Sequence, residues 1–419
     1  MIRRSIRGES AKRHIAAIGN RQEREPAPPS SARESEQRAK SVQPQIRSSG
    51  NGPRHPAHTP PQIPRVATDH NHSSAVSTTG LARISSPLIT SPEEVPLTAT
   101  IPVRIDRFAD LFETIVSNVE KVVQGKREVI ELVVMSLMAE GHVLIEDVPG
   151  VGKTLLAKSL ARSLDCRFNR VQFTPDLLPS DITGVSIWDR AASEFEFKPG
   201  AIFGNIILGD EINRAGPKTQ AALLEAMEEL QVTVDGVTRP LPPPFMVIAT
   251  QNPLEHEGTY PLPESQLDRF MMRLVVGYPV HGKEMEMLET HGRHSSFGDL
   301  DAVATADDVL ELADIARNIH VASSLQAYIV DLVEATRRHG ELLLGASPRA
   351  ALHLQRVARV RAAMQRRDFA TPDDLKAIAR PVLEHRMVLR PEALMRGTTI
   401  GEVIDSVLKH VRVPGGRTG

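Results

Sequence analysis

The chain has 419 residues, one cysteine and a formal charge of −2. Cys166 alone cannot form an intrachain disulfide, and the fifteen scattered histidines build no Cys/His metal-ligand cluster. There is no apolar run near the roughly 20 residues of a membrane span and no signal-peptide core, so a soluble, cytoplasmic chain is expected.

The first 100 residues contain no Phe, Trp or Tyr and twelve prolines, in runs such as PAPPSSARESEQRAK and HPAHTPPQIP. Such a segment cannot bury enough apolar surface to offset its ordering entropy, which predicts a disordered, basic Pro/Ser-rich tail over residues 1–104. Charge is segregated as well: residues 1–90 carry +8 and residues 91–419 carry −10. A basic tail can meet nucleic acid or anionic surfaces, but without aromatic residues it lacks the stacking groups of a specific reader. Glu9, Glu23 and Glu25 argue against a transit peptide in its Arg-rich opening.

The remaining stretch, about 315 residues, is long enough for two domains. In FADLFETIVSNVEKVV and REVIELVVMSLMAE the apolar residues recur at helical spacing. Between these helices Gln124 and Gly125 break the period, either as an ordinary turn or as a backbone platform for a nucleotide base. GHVLIEDVPGVGKT follows, at residues 141–154. His142 to Glu146 reads as a buried parallel strand, and Pro149, Gly150, Val151 and Gly152 form a loop whose backbone N–H groups turn inward. Those donors, and the N-terminus of a helix opened by Lys153, Thr154 and Leu155, favour bound phosphate. Lys153 brings charge to the β- and γ-phosphates, and the Thr154 hydroxyl is placed to ligate Mg²⁺ in a nucleoside triphosphate site. Asp147 stands where the general pattern has its first glycine; Asp tolerates turn and left-handed conformations, so the loop can still form, and the acid leaves phosphate affinity, more than the loop's identity, as the open point.

A helix (KTLLAKSLARSLD) and a period-two strand (FNRVQF) come next. TGVSIWD and EFEFKPGAIF are then spaced like a hairpin, with Trp188 read as hairpin packing and Asp181 as a helix N-cap. NIILGDEIN ends a buried strand on Asp210 and Glu211, at the edge where ligands of open α/β sheets collect. Asp210 can hold Mg²⁺ directly or through water, and Glu211 can orient and polarise an attacking water. After the helix PKTQAALLEAMEEL and a tight hairpin at Asp235-Gly236, the strand FMVIATQNP delivers Asn252 to the same edge. LPESQLDRF puts Arg269 on a short helix, with Arg273 just beyond. From His281 onward the patterns are helical, and Ser347-Pro348 caps a helix that begins with Arg349, an arginine able to reach phosphates from a second domain.

The ordered set EDVPGVGKT, LLPSDITG, the hairpin insert, LGDEINRA, ATQNP, LPESQLDRF and GASPRA resembles the MoxR family of AAA+ ATPases, in the branch with a β-hairpin inserted into the second helix. The resemblance covers roughly residues 105 to 412. It implies an α/β fold: a P-loop αβα core with a parallel sheet over 105–280, then an all-α helical lid over 281–412, with residues 413–419 disordered. It also implies ATP and Mg²⁺ as cofactors, and ATP hydrolysis in a homo-oligomeric ring, a hexamer in the simplest case. A chaperone-like role on client or adaptor proteins is implied too, among them partners with a von Willebrand factor A domain. Carried over, Lys153 and Thr154 serve the phosphate loop, Asp210 and Glu211 follow the acidic strand, Asn252 is first sensor, Arg269 arginine finger and Arg349 second sensor. Two other readings are a nucleotide-switched binding scaffold with little turnover and a nucleic-acid motor, the latter disfavoured by the acidic body. No N-K-x-D guanine motif supports a GTPase. Deleting residues 1–100 is expected to leave the ATPase rate and melting temperature of the body unchanged, and a large fall in melting temperature would show that the tail docks.

Overall fold

The computed structural model describes residues 101–253, 258–279, 281–282, 285, 297–298 and 300–415, with side chains from residue 103 onward. The tail expected before residue 101 lies outside the described residues, as do residues 416–419. The body begins at helix α1 (Ile101–Glu120), so residues 101–104, assigned to the tail by composition, are helical. Tertiary contacts explain the difference: Ile105 and Phe108 are buried, and Arg104 pairs with Asp314 at 3.0 Å.

Helix α2 (Arg127–Met138) leads into β1 (Val143–Glu146), α3 (Lys153–Ser163) and β2 (Phe168–Gln172). A short α4 (Pro179–Thr183) precedes β3 (Val185–Asp189) and β4 (Glu194–Lys198), which pair antiparallel as the expected hairpin. Asp181 acts as the third helical residue rather than the N-cap: its carboxylate accepts from the Leu178 N–H at 2.9 Å. Trp188 packs edge-on against Phe195 across the hairpin, at 5.1 Å between ring centroids, and remains half exposed.

Beyond the hairpin come β5 (Ile206–Asp210), α5 (Pro217–Glu229), β6 (Gln231–Val234), β7 (Val237–Pro240) and β8 (Met246–Gln251). The β6–β7 turn carries left-handed φ angles of 53° at Asp235 and 75° at Gly236, the backbone that a two-residue hairpin turn requires. Then α6 (Glu264–Leu267) and β9 (Met272–Leu274) complete the core. Strands β2, β5, β8, β1 and β9 form one sheet in that order, all parallel.

Buried on both faces, these strands divide their side chains by the two-residue period. Val143, Ile145, Ile206, Leu208, Met246 and Ile248 pack with α1, α2 and α3 on one side. Leu144, Ile207, Val247 and Ala249 face Leu223, Leu224 and Met227 of α5 on the other. The parallel register then sets every strand's carboxyl end along one edge.

The lid holds α7 (Ala306–Arg317), α8 (Ser323–Arg338), β10 (Leu342–Leu344), α9 (Pro348–Met364), α10 (Pro372–Leu383), β11 (Val388–Leu389), α11 (Pro391–Met395) and α12 (Ile400–His410). It is helical as expected, with one addition: β10 and β11 pair antiparallel. Val413, expected in a disordered terminus, packs against the core. Ser347 caps α9 as read from its sequence, accepting from the Ala350 N–H at 3.4 Å.

Core and lid are joined by a buried ion pair. Arg386, just after α10, donates from Nε to Asp268 at 2.8 Å, and its terminal nitrogens donate to the Phe270 and Val382 carbonyls and to His353 Nδ1. Ser347 Oγ donates to the same Asp268 carboxylate at 2.8 Å. His142, His353 and His385 are buried around this joint. Burial pushes His142 down to about 4, burial and the Arg386 charge push His353 down to about 2, and the same two causes hold His385 well below 6.5. These histidines fold neutral, whereas the unfolded chain protonates them below about pH 6.5, so their stabilisation is complete above that pH and is lost as pH falls. Urea unfolding at pH 5.5 should therefore give a lower stability than at pH 7, with a limiting slope of about 1.4 kcal/mol per pH unit for each histidine. Equal stabilities at the two pH values would contradict the buried neutral assignment.

Candidate active site

The phosphate loop follows β1 at the carboxyl edge. Gly150 and Gly152 have φ angles of 87° and 93°, and a Cβ placed on either would meet nothing within 4 Å, which leaves an open backbone concavity. α3 starts at Lys153, directly on the left-handed Gly152, so its N-terminal N–H groups and positive dipole end face that concavity. Thr154 and Leu155 occupy its first turn, and Pro149 and Val151 shape the loop. Lys153 Nζ donates to the Asp147 carbonyl at 2.7 Å, which keeps the ammonium at the loop.

The carboxylate of Asp147, the departure from the general pattern, is taken up by backbone N–H groups. It is buried and accepts from the Val148 N–H at 2.8 Å and the Gly277 N–H at 2.5 Å. Here the acid is a backbone staple between the loop and the segment after β9, a use that glycine could not serve.

At the end of β5, Asp210 and Glu211 are held by one hydroxyl. Thr250 Oγ1 donates to Asp210 Oδ1 at 2.6 Å and accepts the Glu211 N–H at 2.9 Å. Glu211 adopts a left-handed φ of 58°, a strained conformation for this residue type that aims its side chain off the strand end. Asp210 Oδ2 accepts from Arg170 at 2.6 Å, while Glu211 Oε2 accepts from Gln172 at 2.9 Å and Arg214 at 3.0 Å. Asn252 lies buried just past β8, beside β1 and β5 on the same edge.

Arg170, Gln172 and Thr250 are site neighbours that the sequence reading did not single out. The first two alternate on β2, so the period-two pattern of FNRVQF places them on one face; which acids they meet depends on the register of Gln172 with Asp210.

The turn at Gln124-Gly125 joins the loop through the post-β9 segment: Lys126 Nζ donates to the Tyr278 carbonyl at 2.8 Å, next to the Gly277 that binds Asp147. Gln124 Oε1 is buried with no hydrogen-bond partner, an acceptor that fits the amino group of a nucleotide base. Thr154 and Asp210 are the oxygen-bearing side chains that could hold a divalent cation, with phosphate oxygens and water as the remaining ligands, the small protein share usual for Mg²⁺. Among the described residues no cluster of three or more His, Cys, Asp or Glu forms a metal cage. Cys166 is not a nucleophile candidate, because burial pushes its thiol up to about 11.

Arg269 and Arg349 are elsewhere. Arg269 lies on the turn just past α6 rather than within it, and Arg349 is in the first turn of α9. Both pair with Glu228 of α5, Arg269 through Nε at 3.2 Å and Arg349 through Nη2. They line a cavity of about 340 Å³ with Gly141 and His142, the residues that enter β1, whereas the phosphate loop follows its exit. Arg349 therefore does not meet its own subunit's phosphate loop in this structure; it joins Arg269 at the opposite edge.

Residues 142–272 match the ATPase family associated with various cellular activities (AAA), and residues 334–407 match the AAA lid domain. The chain is 48% identical over 299 residues to the Bacillus subtilis (strain 168) protein YeaC, covering 71% of this chain and 93% of that one. It is 41% identical to chaperone MoxR1 of Mycobacterium tuberculosis, covering 72% and 82%, and 32% identical to protein MoxR of Methylorubrum extorquens, covering 71% and 93%. A crystal structure of a Cytophaga hutchinsonii protein described as an ATPase superposes with a TM-score of 0.70 at 39% identity, covering 74% of this chain and 97% of that one. The two domains in this order, on a sheet that ends in a phosphate loop and an acid pair, together with relatives matched over most of their length, show that the chain belongs to the MoxR family of AAA+ ATPases and is an ATP hydrolase.

Proposed function

We propose that the chain hydrolyses Mg²⁺-ATP in a homo-oligomeric ring and uses the turnover to remodel partner proteins. The observation that carries this reading is the separation of the two functional groups: phosphate loop and acid pair at one edge of the sheet, the Arg269–Arg349 pair at the other. An arginine pair so placed serves a nucleotide held by a neighbouring subunit.

Within one subunit, the loop amides and Lys153 hold the phosphates, and Thr154 and Asp210 hold the cation. A Mg²⁺ ion held there would offset the negative charge of the phosphates. With one Asp210 oxygen on Thr250 and the other on Arg170, that carboxylate fits a role exerted through water better than direct ligation. Glu211 positions and polarises the attacking water, its backbone fixed by Thr250, and Asn252 holds that water in line. The neighbour's Arg269, with Arg349 beside it, meets charge developing on the γ-phosphate.

The chaperone-like role is supported by the name of MoxR1 and by the β3–β4 hairpin, on which the exposed cross-strand pair Trp188 and Phe195 offers an apolar surface to a protein client. An adaptor with a von Willebrand factor A domain is supported by the resemblance of the motifs alone, and a cytoplasmic location fits a chain in which no described helix is long and apolar enough to cross a membrane.

Lys153→Ala is expected to abolish nucleotide binding, whereas Glu211→Gln should bind ATP and fail to hydrolyse it; near-native turnover by Glu211→Gln would refute the catalytic assignment. Arg269→Ala should bind ATP normally yet hydrolyse it about 10³- to 10⁵-fold more slowly. Mixing it with Lys153→Ala should restore activity wherever an intact loop meets an intact Arg269, and no restoration with exchanging subunits would place Arg269 within its own site. Nucleotide-dependent binding by a wild type without turnover would favour the switched scaffold.

A further inference from the structure

We propose that Glu228 is a positioning residue for hydrolysis: its carboxylate gathers Arg269 of the core and Arg349 of the lid into one anion-receptive pair. The inference rests on the reading of Arg269 as acting on a neighbour's nucleotide.

The two arginines come from segments with no local reason to meet, the turn after α6 and the start of α9. Glu228 joins them by giving one oxygen to each, Oε2 to Arg269 Nε at 3.2 Å and Oε1 to Arg349 Nη2. That ion pair spends Nε of Arg269 and Nη2 of Arg349, so each guanidinium keeps further N–H donors for an arriving phosphate.

Two features show that the acid is not there for the helix. Glu228 is the penultimate residue of α5, where the negative end of the helix dipole disfavours a carboxylate, and no basic residue in the last turn offsets it. The cavity it lines is otherwise strongly basic, with Arg269, Arg349 and Arg356 together. Its other carboxylate, Glu140, pairs with Arg317 at 3.1 Å. Without Glu228 the arginines repel one another, and the lid-borne and core-borne guanidinium groups lose their common anchor. Displacing a charge-stabilising group by about 1 Å can lower a rate by about 100-fold.

The test compares wild type, Glu228→Ala and the isosteric Glu228→Gln as full-length chains, with ring mass confirmed by sedimentation. Both variants should keep the KM for ATP while kcat falls, by about 10- to 100-fold for alanine and less for glutamine, which retains one acceptor. Mixing either with Lys153→Ala should recover activity, because the defect lies in the subunit that donates the arginines and the intact loop accepts them from the other. If Arg269→Ala shows loss and rescue but Glu228→Gln and Glu228→Ala turn over at the wild-type rate, or lose activity that mixing does not recover, the positioning role is overturned. If Arg269→Ala itself lacks a defect in trans, the underlying reading falls instead.

Discussion

An all-parallel sheet has two unlike edges, and the rest of this molecule depends on that difference. Carboxyl ends of β1, β5 and β8 share one edge, so the phosphate loop, the acid pair and Asn252 converge there although about 100 residues separate the first from the last. The entry to β1 borders the cavity of Arg269 and Arg349 at the other edge. A strand of four residues thus separates the glycine loop at its exit from the arginine pair at its entry.

At the carboxyl edge neutral groups hold the charged ones in place. The Thr250 hydroxyl ties the Asp210 carboxylate to the Glu211 backbone, and in doing so stabilises the left-handed turn that presents Glu211. Asp147 staples the loop to Gly277, so the segment leading toward the lid is held to the phosphate loop by a single carboxylate. Asp268, next to Arg269 in sequence, is held by Arg386 and Ser347 of the lid. The turn that carries Arg269 is therefore tied to the lid through a buried joint.

Much of this was legible in the sequence because the motifs are contiguous: a glycine loop, an acid pair closing an apolar strand, an asparagine closing another. Their local order also identified the β3–β4 and β6–β7 hairpins. Groups that complete the site were not legible, since their partners are remote. Arg170 lies 40 residues from Asp210, and Arg386 lies 118 from Asp268. The identity of residue 147 was visible, but not that its carboxylate is taken up by two backbone amides, one of them 130 residues away. Strands β10 and β11 are too short to show a period, and only their pairing defines them. Arg349 was recognised at a helix start, but which edge of the sheet that helix serves is a property of how the lid packs.

In the proposed ring each subunit carries halves of two different active sites. The most direct measurement is ATPase activity per subunit across a dilution series, with assembly mass followed in the same samples by sedimentation. The account predicts that per-subunit activity rises in step with ring formation and is nearly absent in the monomer. Full per-subunit activity in a monomer at saturating Mg²⁺-ATP would contradict it.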